Sequence, residues 1–194
     1  MESNKRESIL QAAAQAFSRL GFRKTSIGDI AHAAGVAKGT IYLAAKSKED
    51  LFYQAVLRDL RDWLASLARL IDPRRPADEL LEGLAVASVE YFESHPLVRD
   101  LFIGACYGDL PGWEERLDDL RELGKAHVVE VLAAGVRQGL FRRDLELEDT
   151  AMILQDFMHA VYVVQAHSRK LDGAEIRRRM KIGLRLVVDG LRAR

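Results

Sequence analysis

The sequence predicts an all-α protein: a small N-terminal bundle of three helices, then a larger helical part, about nine helices in all. Three observations carry this. Leu, Ala, Arg and Glu dominate, and only four prolines occur in 194 residues, which favours helix over strand. Apolar residues recur at helical rather than alternating spacing along nearly the whole chain. The periodic runs are separated by turn signals: Gly21, Gly35, the stretch Asp72-Pro73-Arg74-Arg75-Pro76, His95-Pro96 and Gly139.

Each helix has its own justification. Helix 1 is expected over about Lys5 to Leu20, started by Asn4 with Glu7 and closed by Gly21, with Ile9, Ala13, Ala16, Phe17 and Leu20 as its buried stripe. Ser26 with Asp29 three residues on forms a capping box for helix 2, whose apolar face is Ile27, Ile30, Ala31 and Ala34. Gly35 ends that helix, and Val36 plugs the turn. Ala37 to Ala44 form a short helix 3. Ser47, with Asp50 three residues on, opens helix 4, which carries an apolar stripe from Leu51 to Leu70 and is roughly 35 Å long at 1.5 Å per residue. Helix 5 spans about Ala77 to Ser94 and helix 6 about Leu97 to Ala105. A turn-rich loop, Gly104 to Gly112, precedes helix 7, about Trp113 to Gln138. Helix 8, about Leu147 to Ser168, is apolar nearly all round between Ala151 and Ala166, so it must be covered on several sides. Helix 9, about Ala174 to Leu191, has one apolar stripe, and Gly183 and Gly190 permit close helix approach.

Composition narrows the function classes. The apolar share of 48% and charged share of 30% are those of an ordinary globular protein. A single cysteine, Cys106, excludes an internal disulfide framework and suits a reducing compartment. The polar start MESNKRES lacks the apolar core of a signal peptide, and no apolar run approaches the roughly 20 residues of a membrane span, so a cytoplasmic location without membrane contact is expected. Net charge is zero, but residues 1–50 carry eight Lys or Arg against five Asp or Glu, so the charge is basic where a phosphate-facing surface would need it.

Helix, glycine turn and short helix in residues 25–50 make a helix-turn-helix, whose second helix reads the major groove. Lys38 is the first candidate for a base edge or phosphate. Gly39 lets the backbone come close to the groove. Thr40 and Tyr42 offer hydroxyls to phosphates, and Thr25, Ser26, Lys46 and Lys48 flank the surface in backbone-positioning roles. Bland roles compete: Thr25 and Thr40 as caps, Tyr42 as partial core.

The order Thr25-Ser26, Ile30-Ala31, Ala34-Gly35-Val36, Lys38-Gly39-Thr40, Tyr42 and Ser47-Lys48-Glu49, with Ile9, Ala12-Ala13, Phe17 and Gly21-Phe22 upstream, resembles the DNA-binding domain of the TetR family of transcriptional regulators over about residues 5–56. Beyond that the likeness is one of layout. It implies a DNA-binding domain at 1–50, an effector-binding and dimerisation domain at 51–194, and helix 4 (about 48–71) linking the two. It implies a homodimer through helices 8 and 9, a palindromic operator, and repression relieved by a small, largely apolar effector. Three positions depart from the family pattern. Ala37 stands where serine is usual and leaves helix 3 without a side-chain cap worth about 1 kcal/mol. Ala44 lacks a side chain that often touches a phosphate. Ala45 replaces a large apolar plug, leaving Leu43, Phe52 or Phe22 to fill the space.

Effector candidates among helices 4 to 8 are Trp63, Tyr91, Phe102, Trp113 and Phe157 as apolar walls, and His95, Tyr107, Gln155, Asp156 and His159 as polar points. Aromatics at helical spacing are more often plain core. Asp156 and His159 share a helix face and fit a mutual pair, an effector contact or a subunit interface equally well. Residues 32, 95, 127, 159 and 167 are the histidines. They form no metal-binding motif, and no phosphate loop or nucleophile elbow occurs, so neither cofactor nor enzymatic activity is expected. The rival readings are a helical small-molecule-binding or catalytic protein with a vestigial DNA head, and a regulator without a ligand.

Overall fold

The computed structural model of the chain describes residues 3–102 and 113–193, with the side chains of residues 3, 102, 113–121, 123 and 167 left out of the description. Nine α-helices occur among the described residues: α1 Ser3–Lys24, α2 Ile27–Ala33, α3 Lys38–Ala44, α4 Lys48–Ala68, α5 Ala77–Ser94, α6 Pro96–Phe102, α7 Trp113–Arg137, α8 Leu147–Val163 and α9 Gly173–Leu191. The all-α expectation holds, and the one pairing of strand type is an isolated bridge between Phe141 and Arg192.

Boundaries moved at three places, each for a local reason. Gly21 does break α1, at φ 77 and ψ 161, but the chain winds on to Lys24 before turning. Proline lacks only an amide that a first helical turn would leave unpaired, so Pro96 begins α6 as well as following α5. The end of helix 8 widens into a π-helical turn, Val164–Ser168, in which the Arg169 amide reaches back to the Val164 carbonyl at 3.0 Å. Leu20 and Leu70, expected at the ends of buried stripes, are 36% and 38% exposed, because each lies where its helix runs out of packing partners.

The chain divides into two compact units, Met1–Asp62 with His95–Trp113, and Trp63–Ser94 with Glu114–Arg194. In the first, Ile9, Ala13 and Phe17 of α1, Ile30 of α2, Ile41 of α3 and Leu51, Phe52, Ala55 and Val56 of α4 form the core. α6 packs on α1 through a buried face of Leu97, Val98 and Leu101. Three rings meet at its centre: Phe52 stands edge-on to Phe17 at 5.0 Å and to Phe22 at 5.3 Å, and Phe17 stacks on Phe22 at 5.8 Å. Ala45 is itself buried, while Leu43 points out at 78% exposure. Of the three residues expected to fill the space at Ala45, Phe52 is buried in this unit, Phe22 is half-buried, and Leu43 turns away.

In the second unit α5 packs along α9, and α8 also contacts α9. Leu80, Leu84 and Val89 of α5, Val131 and Leu132 of α7, Leu154 of α8, and Met180 and Leu184 of α9 are all buried. The proline-bounded loop before α5 is held by one side chain not singled out by the sequence. Gln138 accepts from the Ala77 amide (3.0 Å) and donates to the carbonyls of Pro73 (3.0 Å) and Arg75 (2.8 Å). Glu82 of α5 pairs with Lys181 (3.1 Å) and Arg185 (3.2 Å) of α9.

Gly135 marks a place of close ring packing in this unit. A Cβ there would lie 2.2 and 2.4 Å from ring carbons of Phe141 and 2.9 Å from the Ala77 Cβ. Phe141 is 1% exposed, so its ring has nowhere to go. Alanine gains about 1 kcal/mol in helix propensity over glycine, whereas overpacking costs about 1–3 kcal/mol. Gly135→Ala is therefore expected to lower the midpoint of urea unfolding, against the usual sign for a helical glycine. A raised midpoint would show that the ring can be displaced at little cost.

Candidate nucleic-acid interface

The helix-turn-helix is built from local hydrogen bonds that the sequence dictates. Ser26 and Asp29 form the expected capping box: the Asp29 amide donates to Ser26 Oγ (3.1 Å), and the Ser26 amide donates to Asp29 Oδ2 (3.0 Å). Hydrogen bonds from Ser26 hold the Asp29 carboxyl below the ordinary aspartate range. Gly35 takes φ 64, a left-handed conformation cheap only without a Cβ, and the Val36 amide closes the turn on the Ala31 carbonyl at 3.0 Å. α3 then starts at Lys38 behind Ala37, which makes no side-chain cap, as its sequence requires.

The far end of α3 is fastened by side chains that sequence reasoning passed over. Asp50 Oδ2 accepts from the Lys46 amide (2.8 Å) and from Gln54 Nε2 (3.1 Å), which also donates to the Ala44 carbonyl (3.2 Å). Arg6 of α1 in turn donates to Gln54 Oε1 at 2.7 Å. A glutamine on an amphipathic helix carries no signal of such a role, because the role depends on where a separate helix ends.

α3 buries one side chain, Ile41, and turns the rest outward. Lys38 and Gly39 are exposed, Tyr42 is 53% exposed, Thr40 is half-buried, and Lys46 is exposed just beyond the helix. These five candidates are all accessible or partly so, with basic groups near each end of the helix. His32 lies on the exposed side of α2, as expected.

Three candidates go elsewhere. Thr25 is 2% exposed, and its hydroxyl donates to the carbonyls of Gly21 (2.8 Å) and Ala16 (3.2 Å). It ties the end of α1 to the start of α2, the cap-like reading. Ser26 is exposed, but its hydroxyl is spent within the capping box. Lys48 turns inward: Nζ donates to the carbonyls of Phe22 (2.8 Å) and Thr25 (3.1 Å) and lies 4.4 Å from the centre of the Phe22 ring. Carbonyls left unpaired where α1 ends attract a cation, which claims this lysine before any phosphate can.

The effector candidates are divided between the two units. In the second unit, Trp63 lies 5.3 Å from Phe92, which meets Tyr162 edge-on at 5.0 Å. Phe92 and Tyr162 were not among the candidates, since both fall in apolar runs that read as plain core. Gln155 reaches over Gly124, Phe157 packs against Gly183 where α8 meets α9, and Tyr91 and His159 are half-buried. Asp156 is exposed, on the outer side of α8. His95 belongs to the first unit, as does buried Asp59. Burial pushes the Asp59 carboxyl up, against the opposing influence of Arg58 and His95. Asp59 also accepts from Arg58 at 2.8 Å, and Arg58 pairs with Glu7 of α1. Tyr107 and the side chains of Phe102 and Trp113 lie outside the described residues.

Among the described residues no group of histidine, cysteine or carboxylate side chains is placed to hold a metal ion, and no helix is long and apolar enough to cross a membrane. Residues 9–55 match the family model described as bacterial regulatory proteins, tetR family. The HTH-type transcriptional repressor KstR2 of Mycolicibacterium smegmatis is 32% identical over 160 residues, covering 79% of this chain and 76% of that protein. Among solved structures, the transcriptional regulator FadR from Bacillus subtilis, in complex with stearoyl-CoA, superposes with a TM-score of 0.81 at 17% identity, over 95% of this chain and 98% of that one. The ketosteroid transcriptional regulator KstR2 of Mycobacterium tuberculosis does so with a TM-score of 0.61 at 22% identity, over 100% and 98%. With its capped helix-turn-helix, its outward-facing α3 and these relatives, the chain belongs to the TetR family and is a DNA-binding transcriptional regulator rather than an enzyme.

Proposed function

We propose that the protein is a homodimeric cytoplasmic repressor that binds a palindromic operator and leaves it when a small, largely apolar effector binds. The observation that carries the DNA half is the surface of α3, where Lys38, Gly39, Thr40 and Tyr42 face outward around a single buried anchor, Ile41. In this reading Lys38 and Lys46 meet phosphates, Thr40 and Tyr42 position the helix, and Gly39 lets its backbone near the groove. Residues 1–50 act as the DNA-binding domain, 51–194 as the effector and dimerisation domain, with α4 between them. Thr25, Ser26 and Lys48 act indirectly by holding the reading helix in place.

Dimerisation is assigned to α8 and α9. Met152, Ile153 and Val164 of α8 and Ile182 and Leu186 of α9 are large apolar side chains left exposed, between 43% and 73%. Val164 lies in the π-helical turn that continues α8, eleven residues or about three turns from Ile153, and Ile182 and Leu186 are one turn apart on α9, so each set makes a stripe that a second copy would cover. Two recognition helices on one duplex face then read half-sites about one helical turn apart.

The part of the effector that enters the protein is proposed to be an acyl or sterol-like group. FadR, solved in complex with stearoyl-CoA, and the ketosteroid regulator KstR2 support that class, and the aromatic run Trp63, Phe92 and Tyr162 supports an apolar lining. Binding there shifts the population between two dimer geometries and changes the spacing of the heads.

Selection of random duplex DNA by the purified protein at physiological salt tests the reading, with enrichment of a palindrome as the expected result. Enrichment of nothing by a folded dimer would favour the vestigial-head alternative. Stearoyl-CoA added to the operator complex is the first effector probe, read by release of DNA and by Trp63 fluorescence. Lys38→Ala is expected to weaken operator binding about tenfold or more and to reduce the salt slope by about two, one for each subunit, with thermal melting unchanged. Unaltered binding would remove Lys38 from the interface.

A further inference from the structure

We propose that Leu43 is a specificity-determining residue, reading the C5 methyl of a thymine in each operator half-site. The inference rests on the DNA-binding reading of α3 and adds a contact that neither the sequence pattern nor the relatives assign. Leu43 is 78% exposed, the most exposed of the large apolar side chains among the described residues, although the space at Ala45 stood open to it by sequence. Its side chain turns away from the core and is available for something else.

The geometry of α3 says where it points. Ile41 alone defines the buried side of the helix. At about 100° per residue, positions 39 and 43 both lie about 160° from position 41, on the side farthest from the core. They are four residues apart and therefore neighbours on one face. Gly39 has nothing within 4 Å of where a Cβ would stand, so the helix backbone is bare at that point. Leu43 is then the side chain that projects farthest from the head, with Tyr42 beside it and basic Lys38 and Lys46 near the two ends of the helix. That face is basic at its rims, where phosphates run, and apolar at its centre.

A leucine side chain neither donates nor accepts a hydrogen bond. On the floor of the major groove, the base feature it can distinguish is the methyl group that thymine alone carries. Leu43 therefore selects thymine at one position of each half-site, and the bare backbone at Gly39 lets it approach to van der Waals distance.

The test uses the duplex recovered by selection, remade with each thymine in turn replaced by deoxyuridine, which removes only the methyl group. For the wild-type protein, one position per half-site should lose about fourfold in affinity on this replacement, and about fifteenfold when both half-sites carry it, the scale of one buried methyl group. Leu43→Ala should bind the unmodified duplex more weakly by a similar factor and be indifferent to deoxyuridine at that position. Its melting temperature should match the wild type, since the residue is exposed. A deoxyuridine scan of Leu43→Ala that parallels the wild-type scan at every position overturns this inference alone. A wild-type protein that selects no duplex overturns it together with the reading on which it rests.

Discussion

Phe52→Ala is expected to lower the unfolding free energy by about 3–5 kcal/mol, the largest effect of any single truncation in the N-terminal unit. Phe52 is 1% exposed and stands edge-on to two further rings, so the substitution removes a large apolar side chain and two aromatic contacts at once. Several buried positions of this unit, Ala13, Ala16 and Ala45 among them, are too small to fill a gap of that size. Against a total stability of about 5–15 kcal/mol for a domain, the loss is a large share. Urea unfolding followed by circular dichroism should show a lower midpoint, and operator binding should fail at temperatures where the wild type still binds. Phe52→Leu keeps most of the volume and should cost far less. Equal losses for the two variants would mean that ring geometry, rather than filled volume, holds the unit together.

The second large effect is on assembly. Ile153→Glu with Leu186→Glu places two carboxylates on the exposed apolar stripes of α8 and α9, at positions 65% and 73% exposed in the single chain. Neither substitution removes a core contact, so helix content and melting of the isolated chain should persist. If those stripes pair two subunits, each carboxylate loses its hydration in the interface and the dimer separates. A monomer holds one half-site only. The second head then no longer binds at the high effective concentration that tethering supplies, and operator affinity should fall by about 100-fold or more. Sedimentation reads the mass and titration of labelled operator reads the affinity. A double variant that remains a dimer with full affinity would move the interface away from these helices.

Both expectations come from packing, and they show where reading the sequence succeeded and where it stopped. Helical periodicity, turn residues and caps are local, so elements were legible without any tertiary knowledge. Ser26 caps α2 through Asp29, Gly35 takes the left-handed turn, Ala37 leaves α3 uncapped, and α5 begins at Ala77 and ends at Ser94 as expected. The outward set Lys38, Gly39, Thr40, Tyr42 and Lys46 was equally legible, because one buried residue in a seven-residue helix leaves the others few places to point.

The sequence by itself thus determined the fold class, the helix-turn-helix and which side chains of α3 stand exposed. The tertiary structure alone decided which neighbouring polar groups were free to act. Thr25 and Lys48 bear the right chemistry for phosphate contact, but carbonyls at the end of α1 lie closer to hand and claim both. Leu43 carries the chemistry of a core residue yet stands 78% exposed, while the core beside α3 is built by three rings from α1 and α4. Gln54 and Gln138 looked like surface glutamines, yet each closes a junction between segments distant in the chain. Such outcomes depend on competition between groups brought together only on folding. A one-dimensional pattern records the chemistry of each competitor but not which of them arrives first.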